Sequence, residues 1–119
     1  MNATEFRAAF SGGKESTEGY YAFQNVMNYE NQHFDEIIVN LEILQKQIEF
    51  VLHNYTIEDQ SIFDFFKRLE SALIKFQHSE PGYDESKQFC GFIYQIFSGW
   101  DVIDGYRDYD LIEKMIDDI

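Results

Sequence analysis

Residues 33–56, "HFDEIIVNLEILQKQIEFVLHNYT", decide the fold class. Phe34, Ile37, Leu41, Leu44, Ile48, Val51 and Tyr55 follow in steps of three and four, which sets all seven on one helical face. Ile38 and Leu52 widen that stripe. Beside it, Asp35, Glu42 and Glu49 recur every seventh residue and make an acidic ridge. Glu42 stands four before Lys46, a weakly stabilising helical pair.

Downstream, Thr56 reads as a helix N-cap with Asp59 in the capping-box position. The helix that follows runs through "IEDQSIFDFFKRLESALIKF" and turns Ile62, Phe66, Leu69, Leu73 and Phe76 inward. "SEPGYD" ends it, because Pro81 disfavours helix at the residue before it and Gly82 supplies a turn. Asp84 can open another helix, with Phe89, Phe92, Ile93, Ile96, Phe97 and Trp100 facing inward. A last helix is expected from Asp108 or Asp110, burying Leu111, Ile112, Met115, Ile116 and Ile119.

Upstream, "STEGYYAFQNVMNY" spaces Tyr20, Phe23, Val26 and Met27 for a helix. A short N-terminal helix capped by Asn2, with Glu5 at its third position, would pack Phe6 and Phe10. Little in the chain looks like a strand. The expected fold class is all-α: a single compact irregular bundle of five or six helices, one helical domain over 1–119. No internal repeat, low-complexity tract or linker interrupts it.

The chain is rich in core-forming rings, with 12 Phe, 8 Tyr and one Trp, which argues against intrinsic disorder. Cys90 is the one cysteine, so no internal disulfide can form and a reducing compartment fits best. The opening "MNATEFRAAF" lacks the pattern of a signal peptide, and no apolar run approaches a membrane span. The expected location is cytoplasmic. The 22 acidic against 9 basic residues give a net charge of −13. That charge disfavours direct contact with nucleic-acid phosphates or an anionic membrane, and suits a strongly basic protein partner.

Catalytic and metal motifs fail on inspection. "SGGKES" ends like a phosphate-binding loop, but Glu15 follows Lys14 where Ser or Thr belongs, and Ala8 replaces the first glycine. Glu30 and His33 have the Glu-x-x-His spacing of di-iron bundles, which need a second such pair. Glu49 and His53 lie four apart, with no further Cys or His to complete a zinc set. Cys90 sits among phenylalanines as a small hydrophobe would. The sequence supports no enzyme, no cofactor and no metal site.

An acid-rich segment is "DVIDGYRDYD", residues 101–110, with Asp101, Asp104, Asp108 and Asp110 and with Glu113 just beyond. A calcium loop aligned on Gly105 would put Trp100, Val102 and Leu111 at ligand positions, so that reading falls. Helix capping explains Asp110 and Glu113, and acids near a helix start suit Asp108. It leaves Asp101, Asp104, Asp117 and Asp118 unexplained.

Tyr106 and Tyr109 interleave with these acids, and Tyr83 precedes Asp84 and Glu85. Tyrosine recurs at interfaces because it offers a wide apolar face and a hydroxyl at little entropic cost. Residues 101–110 are therefore the preferred partner-binding surface, joined by Tyr83, Asp84 and Glu85. The ridge of Asp35, Glu42 and Glu49 is the second.

The chain resembles small helical immunity proteins in size, acidity and expected fold, with no shared motif. The resulting expectation is a small acidic antagonist of a basic protein, most concretely one that neutralises a nuclease toxin. A nucleic-acid mimic that inhibits a DNA-processing defence complex, or a helical adaptor, are the alternatives.

Overall fold

The structure, a computed structural model, describes residues 17–102, 114 and 117. It is all-helical over these residues, with four α-helices and a short 3-10 turn. Helix α1 spans Thr17–Met27, the turn Tyr29–Asn31, α2 Phe34–Asn54, α3 Gln60–His78 and α4 Tyr83–Val102. The further helix expected around 2–10 lies outside the described residues, and of the one expected after Asp108 only Lys114 and Asp117 are described, both helical. The radius of gyration is 13.2 Å, against about 13.5 Å for a compact chain of this length.

Helix α2 is the centre of the arrangement. It packs against α1, α3 and α4, and its stripe of Ile37, Leu41, Leu44, Ile48, Val51 and Leu52 is buried. Each such side chain contributes roughly 1.5–3 kcal/mol by leaving water. Phe34 and Tyr55, the two ends of the stripe, are half-buried. Because neighbours surround α2 on more than one side, Asn40, Gln45 and Gln47 are buried as well. Asn40 accepts from Asn25 Nδ2 of α1 at 3.4 Å, and Gln45 donates to Glu49 at 3.1 Å.

Helix α2 ends at Tyr55, whose backbone turns extended while its N–H still reaches the Val51 carbonyl. The cap of α3 is Asp59 rather than Thr56. Residues 56–58 stay non-helical, and Asp59 accepts from the Ser61 N–H at 2.9 Å and from its hydroxyl at 2.6 Å. Aspartate meets the exposed amides of a helix start as well as threonine does. Ile57, in that loop, packs against the core.

The inward face of α3 is broader than the spacing of five residues predicts, since Phe65 and Ala72 are also fully buried. Phe65 meets Phe66 edge to face at 5.3 Å. Helix α4 contributes Phe89, Cys90, Ile93 and Ile96, while Phe92 is only half-buried. Phe76 of α3 and Phe89 of α4 stack at 4.1 Å and 8°. Gly91 lets the 3-10 turn come close: a Cβ there would stand 3.3 Å from the Tyr29 hydroxyl. Among the described residues no helix is long and apolar enough to cross a membrane.

Candidate functional site

Helices α2 and α3 run antiparallel across the short 55–59 connection, so the start of α2 lies beside the end of α3. Between them opens a cleft of about 610 Å³. Its apolar lining comes from Phe34, Ile38 and Val39 on α2 and Pro81 in the turn after α3, over a floor of buried Leu41 and Phe76. Val39 is 53% exposed. The acidic residues of the lining are Asp35, Glu42 and Glu80, and among the described residues no lysine or arginine lines it. Gln77 adds an amide whose nitrogen is buried without a hydrogen-bond partner among the described residues.

Glu80 has a backbone φ of 52°. This left-handed conformation follows Ser79, the C-cap of α3, whose N–H reaches the Lys75 and Phe76 carbonyls. Glycine is the usual occupant of such a position after a helix, because a Cβ there crowds the following carbonyl. The residue before a proline is ordinarily extended, so Glu80 departs from both tendencies. It lines the cleft.

The second surface expected from sequence is therefore divided. Asp35 and Glu42 belong to the cleft, with Glu42 also held by Lys46 at 3.0 Å on the exposed side of α2. Glu49 lies beyond it, in a shallower depression of about 350 Å³ shared with Lys46, Phe50, His53 and Asn54. Glu49 also accepts from Gln45.

Tyr83, Asp84 and Glu85 begin α4 and are exposed. Tyr83 meets Phe34 edge to face at 6.3 Å and 72°, which joins the start of α4 to the apolar side of the cleft. The Lys87 Nζ lies over that ring, 5.4 Å from its centroid. Asp84 and Glu85 occupy the first turn, where carboxylates favour the positive end of a helix, so helix stability alone accounts for their position.

Asp101 falls in the last turn of α4, while Asp104, Tyr106, Asp108, Tyr109 and Asp110 lie outside the described residues. Sequence reasoning missed Val39, Gln77 and Glu80. The signal for Val39 was present: an apolar residue off the buried stripe, midway between Asp35 and Glu42. Gln77 and Glu80 join the site only because the chain folds back at the 55–59 connection, which spacing along one helix does not reveal.

Among the described residues, no three His, Cys, Asp or Glu side chains come together as metal ligands. Cys90 is fully enclosed, and burial pushes its thiol from 9.0 up to about 12, the opposite of what a nucleophile needs. Compared with known proteins, the chain matches no family model, no curated protein and no solved structure.

Proposed function

We propose that this chain is a small acidic binding protein that holds a basic protein and blocks it. In its most concrete form it is a bacterial immunity protein, acting in the cytoplasm, that covers the electropositive active site of a nuclease toxin. The observation that supports this reading is the α2–α3 cleft. Exposed apolar surface lies there beside Asp35, Glu42 and Glu80, with no lysine or arginine in the lining among the described residues. A nuclease must attract phosphate, so its active site presents the complementary charge. Carboxylates speed the encounter, and desolvated apolar anchors slow release. An inhibitor of this kind needs no catalysis.

The mimic reading asks for a continuous acidic face. On α2 the exposed acids are interrupted by Val39, Lys46 and Phe50, which favours the antagonist. The adaptor reading asks for an exposed apolar groove, and the cleft has one, but its carboxylates favour a cationic occupant.

The test is purification of the tagged protein from its native cells at low salt, with mass spectrometry of what accompanies it. A basic nuclease that is inhibited on reconstitution and released by high salt is the expected result. Self-association with no cationic companion would overturn the antagonist reading in favour of the adaptor.

A further inference from the structure

We infer that the α2–α3 cleft is a socket for one segment of a basic protein: a bulky apolar side chain flanked by arginine or lysine. This rests on the proposed function and specifies which surface docks the partner and by what chemistry. The cleft, at about 610 Å³, lies within the roughly 300–1,000 Å³ typical of ligand pockets, enough for one or two side chains. Phe34, Ile38, Val39 and Pro81 offer it an apolar lining.

Charge selects the occupant. Asp35 comes from the first turn of α2, Glu42 from two turns further on, and Glu80 from the opposite side after α3. Glu42 is already paired with Lys46 at 3.0 Å, so Asp35 and Glu80 are the acids that can meet cations on the two sides of a central apolar anchor. A second copy of this chain, itself of net charge −13, would bring Asp35 and Glu80 against their own kind, and like charges so placed repel. An anionic lipid surface is repelled for the same reason. Glu80 points the same way: glycine would relieve its φ of 52° but would carry no charge to this edge.

Fluorescence anisotropy at low salt tests this with three fluorescein-labelled peptides of equal length. One has a leucine pair flanked by arginines, one has arginines without leucine, and one has the leucines without arginine. Each is titrated with the full chain and with Val39→Lys and Phe50→Lys. Both replaced residues are exposed apolar positions on α2, and both changes add one positive charge, but only Val39 lines the cleft. Circular dichroism verifies that each variant remains helical, and Glu42→Gln serves as a second cleft variant.

The expected result is tightest binding by the leucine–arginine peptide, weakened about tenfold or more by Val39→Lys and less than about threefold by Phe50→Lys. Equal binding of the arginine-only peptide, with both variants weakened alike, would overturn the socket and leave a diffuse attraction to an acidic surface, so the proposed function would stand. Equal binding of the leucine-only peptide would also overturn it, because the carboxylates would then have no part. If neither cationic peptide binds, the socket falls, while the proposed function is decided by the co-purification and reconstituted inhibition.

Discussion

The two halves of α2 carry the same periodic pattern and meet different surroundings. In the first half, Asp35 and Glu42 border a cleft that the end of α3 and Pro81 complete. In the second half, Glu49 is engaged by Gln45 and shares a shallow depression with Lys46 and His53. An apolar residue is exposed in each, Val39 in the first and Phe50 in the second, but Phe50 packs edge-on against Tyr55 at 6.4 Å. The difference teaches that a heptad of acids defines a face, while the element folded against that face decides what each acid can do.

Beneath both halves the core should be equally firm, and the largest effects are expected there. Leu41 under the cleft and Ile48 under the closed half are both completely buried. Replacing either with alanine should cost about 2–5 kcal/mol in urea denaturation. A cost below about 1 kcal/mol at Leu41 would show that the cleft floor is not core, and the comparison would break.

Cys90 probes the α4 side of the same core. Its folded pKa, raised by burial to about 12, exceeds the unfolded value, so its contribution is fully present below pH 9 and is lost as pH rises toward 12. The loss should approach about 1.4 kcal/mol per pH unit in that window. Tyrosines and lysines titrate there too, so the readout is the stability of the wild type minus that of Cys90→Ala against pH. A flat difference would contradict the burial.

Smaller effects separate the halves. Asp35→Asn with Glu42→Gln should weaken a leucine–arginine peptide about tenfold and reduce its salt dependence, whereas Glu49→Gln should change affinity by less than about twofold. Equal losses would erase the distinction. Smallest of all, Glu80→Gly should raise stability by roughly 0.5–1 kcal/mol, as a left-handed residue is replaced by one that adopts that conformation freely. It should at the same time weaken peptide binding measurably. Stabilisation with unchanged binding would remove Glu80 from the cleft's function.

Much of the fold was legible because helical spacing carries burial directly: Ile37 through Val51 lie where their steps of three and four put them. Boundaries were less so. Asp59 caps α3 in place of Thr56 because either side chain can accept from a helix start, and only the path of the 55–59 loop selects between them. The buried Asn40, Gln45, Gln47 and Glu70 were not legible, since their burial comes from neighbours on more than one side of the helix. For Glu70 the neighbour Lys67 supplies an ion pair at 3.2 Å.

Of the candidate site, Asp35 and Glu42 are legible in the sequence as two of the three members of a uniform ridge. Their separation from Glu49, and their meeting with Val39, Gln77 and Glu80, depend on tertiary packing that a one-helix pattern does not encode.

The most direct test of the central claim is a map of backbone amide chemical shifts as the leucine–arginine peptide is added to the isotopically labelled full chain. The cleft account predicts that the largest changes fall at residues 34–42 and 76–82, with little change at 45–54. Changes centred on 45–54, or spread evenly over the acidic surface, would contradict it.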